Sequence, residues 1–126
     1  MVGKPQAVDF LHAALKVAAL KQSVIANNIA NADTTGYRRS DVKFETALNK
    51  AMESGSVKDL QGLKPEIVRP GDSPVDSNDN DVNMDVEVGE LIKNSGRYKT
   101  CMRLLNTMYK QMQTAMSDQI LGETWE

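Results

Sequence analysis

The residues best placed to do chemistry are a run of oxygen-bearing side chains ahead of the last third of the chain. Asp76, Asn78, Asn80 and Glu87 stand at the first, third, fifth and twelfth places of an EF-hand loop. That spacing wraps carboxylate and amide oxygens around a calcium ion. Such a loop needs glycine at its sharp turn, and Asp81 stands there. Asn83 takes the place of the buried apolar residue, and the sequence holds no second copy to pair with. The stretch reads instead as a polar approach to a helix. Asp81 or Asn83 would be its N-cap, with Asp85, Glu87 and Glu90 near the positive end of the dipole. No calcium site is expected. His12 and Cys101, each the sole residue of its kind, fall within predicted helices with nothing to pair them. Cys101 reads as a small buried hydrophobe. No glycine-rich phosphate loop, zinc spacing or serine elbow is present. Catalytic residues, cofactor and metal are all expected to be none, and the chain is not expected to be an enzyme.

Composition narrows the class further. The chain has 126 residues, a net charge of -2, 40% hydrophobic residues and 5% aromatics, so its core must be aliphatic. One domain fits that length. Seven methionines suit surfaces that repack. The charges are mixed, without the clustered basic face of a nucleic-acid binder. One cysteine excludes an intrachain disulfide. No apolar run approaches the ~20 residues that span a bilayer. The start, Met1 to Gln6, lacks the apolar core of a cleavable signal peptide.

Two helices must carry whatever the chain does. Val8, Leu11, Leu15, Ala18, Gln22, Ile25 and Ile29 alternate spacings of three and four over residues 7–31, and only Gln22 is polar. Met84, Val88, Leu91, Ser95, Tyr98, Met102, Leu105, Tyr109, Met112 and Met116 repeat the pattern, and only Ser95 is polar. Such spacing marks a heptad seam. The second run predicts one helix over about 83–121, longer than a compact monomer of this size can cover. Between them, Tyr37 to Phe44 reads as extended. Phe44, Leu48, Ala51 and Met52 read as a short helix ending near Gly55. Ile67-Val68 reads as a short strand that Pro70 confines to an edge. Residues 54–80, rich in Gly and Pro, read as a loop. The expected fold is mainly α: long N- and C-terminal helices in a coiled-coil-like pair, with a short irregular, β-like middle. It forms one structural domain of three segments, 1–36, 37–82 and 83–126.

The most specific string runs from Ala26 to Tyr37. With Asn27 at the head of the turn motif, Asn28 and Ile29 continue the first helix, and Asn31 can end it in a left-handed conformation. Asp33 and Thr34 can bond backbone N–H groups just ahead of them. Gly36 supplies a positive φ. Tyr37 anchors the turn with its ring and hydroxyl.

This string resembles the N-terminal signature of bacterial flagellar rod and hook proteins. Its usual form ends Asp-Thr-Pro-Gly-Tyr, and Thr35 stands here in the proline place. The run Tyr37 to Phe44 with Ala47-Leu48 resembles the proximal-rod, FlgB-type branch. So does Val82 to Glu87 followed by Leu91, Asn94, Arg97-Tyr98, Leu104-Leu105 and Met112. The short middle agrees, since hook and distal-rod members insert domains there. The resemblance implies a structural subunit exported through the flagellar type III apparatus without a cleaved signal. It implies self-assembly through the terminal helices into the helical axial drive shaft, in the periplasmic rod of the basal body. The implied partners are copies of itself, other rod subunits, the membrane ring and the export gate, and no nucleic acid. Val8, Leu11, Leu15, Ile25, Ile29, Leu91, Tyr98, Met102, Leu105, Tyr109, Met112 and Met116 are the expected assembly interface. A coiled-coil adaptor or export chaperone binding partner helices is the alternative, but an adaptor helix needs no Asn-rich turn.

Overall fold

The computed structural model describes residues 4–54, 62 and 64–125. Helix α1 spans Lys4–Ala30, strand β1 Asp41–Val42, helix α2 Phe44–Ser54, strand β2 Ile67–Val68 and helix α3 Met84–Trp125. The fold is mainly α, with α1 and α3 packed along each other. His12 meets Tyr109, Gln22 meets Ser95 and Asn28 meets Glu87, so the two helices run antiparallel. The strands pair antiparallel, Asp41 with Val68 and Val42 with Ile67. The short strand read from Ile67-Val68 is there, and so is the short helix after the extended segment. Of the stretch read as a loop, residues 55–61 and 63 lie outside the described residues. Its described part holds β2, Gly71 at φ 68° and a tight turn over Asp76–Asn80.

Helix α1 is buried on two sides. Its Leu11, Ala18 and Ile25 are buried, and Leu15, Gln22 and Ile29 are half-buried. Ala14, Val17, Ala18 and Val24 also join Val42, Phe44, Ala47 and Leu48 in the apolar core, with Phe10, Leu20 and Cys101 packed against it. Each large side chain so buried contributes about 1.5–3 kcal/mol. Arg97 of α3 roofs this core, its guanidinium 4.7 Å from the Phe44 ring centroid, and pairs with Glu45.

The seam of α3 differs from the stripe its apolar residues trace. Glu87 and Asn94 are fully buried, Leu105 is buried, and Leu91, Cys101 and Met108 are half-buried. By contrast Met84, Val88, Tyr98, Tyr109 and Met116 are exposed. The helix is turned by about half a position from the expected face, roughly 50° at ~100° per residue, so Leu91 and Leu105 stay in the seam while Val88 and Tyr109 give way to Glu87 and Met108. The cause is chemical. Glu87 and Asn94 find partners inside the molecule, so polarity does not keep them out, and the adjacent apolar stripe is left facing outward. The 42-residue α3 also outruns the 27-residue α1 by 15 residues, about 22 Å at 1.5 Å per residue. Side chains 111–119 are all exposed.

Candidate functional site

The Asn-rich string closes α1 through a series of right-handed turns. Asn31 N–H donates to the carbonyls of Asn27 and Asn28, at 3.1 and 3.2 Å, and Ala32 N–H to Ile29 O at 3.2 Å. Thr34 N–H then donates to Asn31 O at 3.1 Å, and Tyr37 N–H to Thr34 O at 3.3 Å. Gly36 takes the expected positive φ of 74°. Asn31 does not take the expected left-handed conformation; among the described residues the one non-glycine with positive φ is Asp79, at 57°. The reason is that Asn31 Nδ2 folds back on Asn27 O at 2.8 Å while its Oδ1 accepts from Thr34 Oγ1 at 3.1 Å. Its side chain thus stabilises a continuing right-handed turn. Asp33 stands exposed, and the side-chain support comes from the asparagines.

Asn28 is the hub. It is fully buried. Its Nδ2 donates to Ser40 O at 2.8 Å and to Glu87 Oε2 at 3.3 Å. Its Oδ1 accepts from the Tyr37 hydroxyl and from Ser40 N–H, each at 2.9 Å. Asn27 Nδ2 donates to the same hydroxyl at 3.2 Å. All four hydrogen-bonding positions of the Asn28 amide are filled.

The segment before α3 is the other jaw of this clasp. Gly36 N–H donates to Asn78 O at 2.9 Å. Asn80, 1% exposed, donates from Nδ2 to Asn31 O and Thr34 O, at 2.9 and 2.8 Å. Arg39 N–H donates to Asp81 Oδ1 at 2.6 Å, and Arg38 binds both the carbonyl and the carboxylate of Asp79. Arg39 Nε reaches Glu87 Oε1 at 2.6 Å. Burial pulls the Arg39 pKa down, but Glu87, with Asp41 and Asp81, outweighs that and holds it above its ordinary value. Lys21, also buried, donates to Val42 O at 3.2 Å and lies 3.5 Å from Asp41 and 3.3 Å from Glu90. Burying Lys21, Arg39 and Glu87 is tolerable because each is paired, whereas the buried Asp81 leaves Oδ2 without a partner among the described residues.

The calcium-like spacing has another use. Asp76 Oδ1 accepts from the N–H groups of Asn78 and Asn80, at 2.8 and 3.1 Å, and Glu87 is committed to Arg39. The N-cap of α3 is Asn83, whose Oδ1 accepts from Asp85 N–H at 3.0 Å.

The expected site residues thus separate into two groups. Asn27, Asn28, Asn31, Thr34, Gly36 and Tyr37 come together in the clasp. Among the apolar set, Leu11, Ile25 and Leu105 are buried inside the chain. Val8, Leu15, Ile29, Leu91 and Met102 are half-buried, and Tyr98, Tyr109, Met112 and Met116 are exposed. Lys21, Arg39, Asn80, Asp81, Glu87 and Asn94 were not marked as site residues by the sequence pattern. The apolar spacing gave no signal for Glu87 and Asn94, since it runs one residue away from each, through Val88 and Ser95.

The described residues form an antiparallel helix pair closed by an Asn-rich clasp, with an outward apolar stripe on α3. The model of the family described as flagella basal body rod protein matches residues 9–38, which span most of α1 and the turn. The flagellar basal body rod protein FlgB of Borreliella burgdorferi is 37% identical over 111 residues, covering 74% of this chain and 82% of the relative. FlgB of Escherichia coli is 34% identical over 129 residues, and FlgB of Bacillus subtilis 31% over 124 residues; each covers 87% of this chain and 92% of the relative. The chain belongs to the FlgB family of flagellar basal body rod proteins.

Proposed function

We propose that the chain is a non-enzymatic structural subunit of the proximal flagellar rod, and that it assembles through its two terminal helices. Family membership supports the structural role. The observation that carries the assembly mechanism is the outward stripe of α3: Met84, Val88, Tyr98, Tyr109 and Met116 are each more than 40% exposed. One helix presenting so many large apolar groups to water marks a surface built for a protein partner. The clasp holds this stripe at a fixed angle to α1, so each copy presents the same face to its neighbours. The partners are copies of itself and other rod subunits, with the membrane ring and export gate at the base. The location is the periplasmic rod, reached by type III export without a cleaved signal peptide.

Met116→Asp tests the mechanism, because Met116 is 63% exposed and lies on the outward stripe. In a strain lacking the native chain, the variant should be exported, fold with an unchanged thermal midpoint and fail to enter the rod. Normal incorporation and motility would overturn the assignment of this face.

A further inference from the structure

The middle of the α1–α3 seam is polar. Asn94 is fully buried, and its Nδ2 donates to Ala18 O and to Gln22 Oε1, each at 2.8 Å. Gln22 Nε2 donates in turn to Ser95 Oγ at 3.3 Å. Gln22 and Ser95 are the polar exceptions in the two sequence stripes, and the fold sets them against each other. Beyond this layer, toward the start of α1, the seam of α3 continues with Cys101, Leu105 and Met108. Apolar groups of that kind pack acceptably in more than one register.

The layer is not arranged for stability alone. Asn94 Oδ1 is buried and has no hydrogen-bond partner among the described residues. A buried carbonyl without a donor lowers stability, and leucine at the same place carries no such penalty. A buried polar group that costs stability is a known device for fixing the register of paired helices.

We propose that Gln22, Asn94 and Ser95 form a register key for the α1–α3 pair. A slip of α3 by one heptad, about 10 Å, sets Gln22 against Cys101-Met102 or Glu87-Val88. The same slips set Asn94 and Ser95 against Ile29 and Leu15 respectively. Either way the buried Asn94 loses the Gln22 side chain and faces an apolar one, and the slipped pairing is rejected. The key keeps the clasp at one end and the His12–Tyr109 contact at the other in step.

The test is a Gln22→Leu/Asn94→Leu double variant of the full chain, studied by solution NMR and urea unfolding. The His12 and Tyr109 rings, with centroids 6.4 Å apart, report the native register. Wild type should give one set of amide signals and a cross-peak between these rings. The double variant should keep or raise its urea midpoint, show two or more signal sets for α1 and α3, and lose at least half the ring cross-peak. A single signal set with the cross-peak intact overturns the proposal. A lowered midpoint or failure to fold also overturns it, because the layer would then serve stability rather than register.

Discussion

Replacing Asn28 with alanine removes the side chain on which the turn, the extended segment and α3 converge. Four hydrogen bonds go: two to the Ser40 backbone, one from Tyr37 and one to Glu87. Each is worth about 0.5–1.5 kcal/mol net, and somewhat more to a charged group. Ser40 and Tyr37 are half-buried and regain water in part. Glu87 is fully buried and keeps only its Arg39 contact. The sum comes to about 3 kcal/mol, a large share of the ~5–15 kcal/mol that holds a domain together. With a urea dependence of ~1–3 kcal/mol per molar, the midpoint should fall by about 1–3 M. Asn27→Ala is the control. Asn27 is exposed, and its loss should stay within about 0.5 kcal/mol. Asn28→Asp keeps the acceptor, loses both donated bonds and sets a second carboxylate beside Glu87, so it should be at least as damaging as alanine. A midpoint for Asn28→Ala within about 0.3 M of the parent would refute the view that this amide organises the clasp.

Four further outcomes follow from the geometry. Gly36→Val should cost on the order of 1–3 kcal/mol in thermal unfolding; at φ 74°, with open space around the missing Cβ, the whole penalty is backbone strain, so Gly36→Asn should cost less. Leu105→Asp puts a charge at a position only 5% exposed and should destabilise the monomer by on the order of 4 kcal/mol, seen as a lowered denaturation midpoint, whereas Met116→Asp should not. Burial raises the Cys101 pKa above its ordinary value, so at pH 8 the folded chain should react with iodoacetamide more slowly than the urea-unfolded chain. The matching contribution to stability is full below the ordinary thiol pKa and is lost as pH rises through the raised value. Calcium titration by calorimetry should show no saturable micromolar binding, since Asp76 caps its own turn and Glu87 holds Arg39.

The sequence made the elements readable because their signals are local. Heptad spacing predicted α1 and α3, Gly36 announced its positive φ, and Ile67-Val68 announced the short strand. The facing of α3 was not readable by the same rule. Counting apolar residues favours Val88 and Tyr109 over Glu87 and Asn94. The fold reverses that choice because Arg39, Asn28, Gln22 and the Ala18 carbonyl supply partners from segments 48 to 76 residues away. The clasp was half legible for the same reason. Its first jaw is one continuous string, whereas Asn80 and Asp81 show their purpose only once they sit beside Asn31, Thr34 and Arg39.

The clasp also settles what the middle of the chain is free to become. Gly36 and Asn78 are joined backbone to backbone, and Asn80 is bonded to Asn31 and Thr34. The two ends of the path from Gly36 to Asn78 therefore meet at one doorway. Lengthening a path whose two ends are already held together costs little, since closure entropy grows only with the logarithm of length, about 0.6 kcal/mol per doubling. β1 and α2 still pack on α1 through Val42, Phe44, Ala47 and Leu48, but the clasp joins the two helices whatever the length of that path. An added domain could hang from this doorway as a pendant while the helical shaft below it kept its shape.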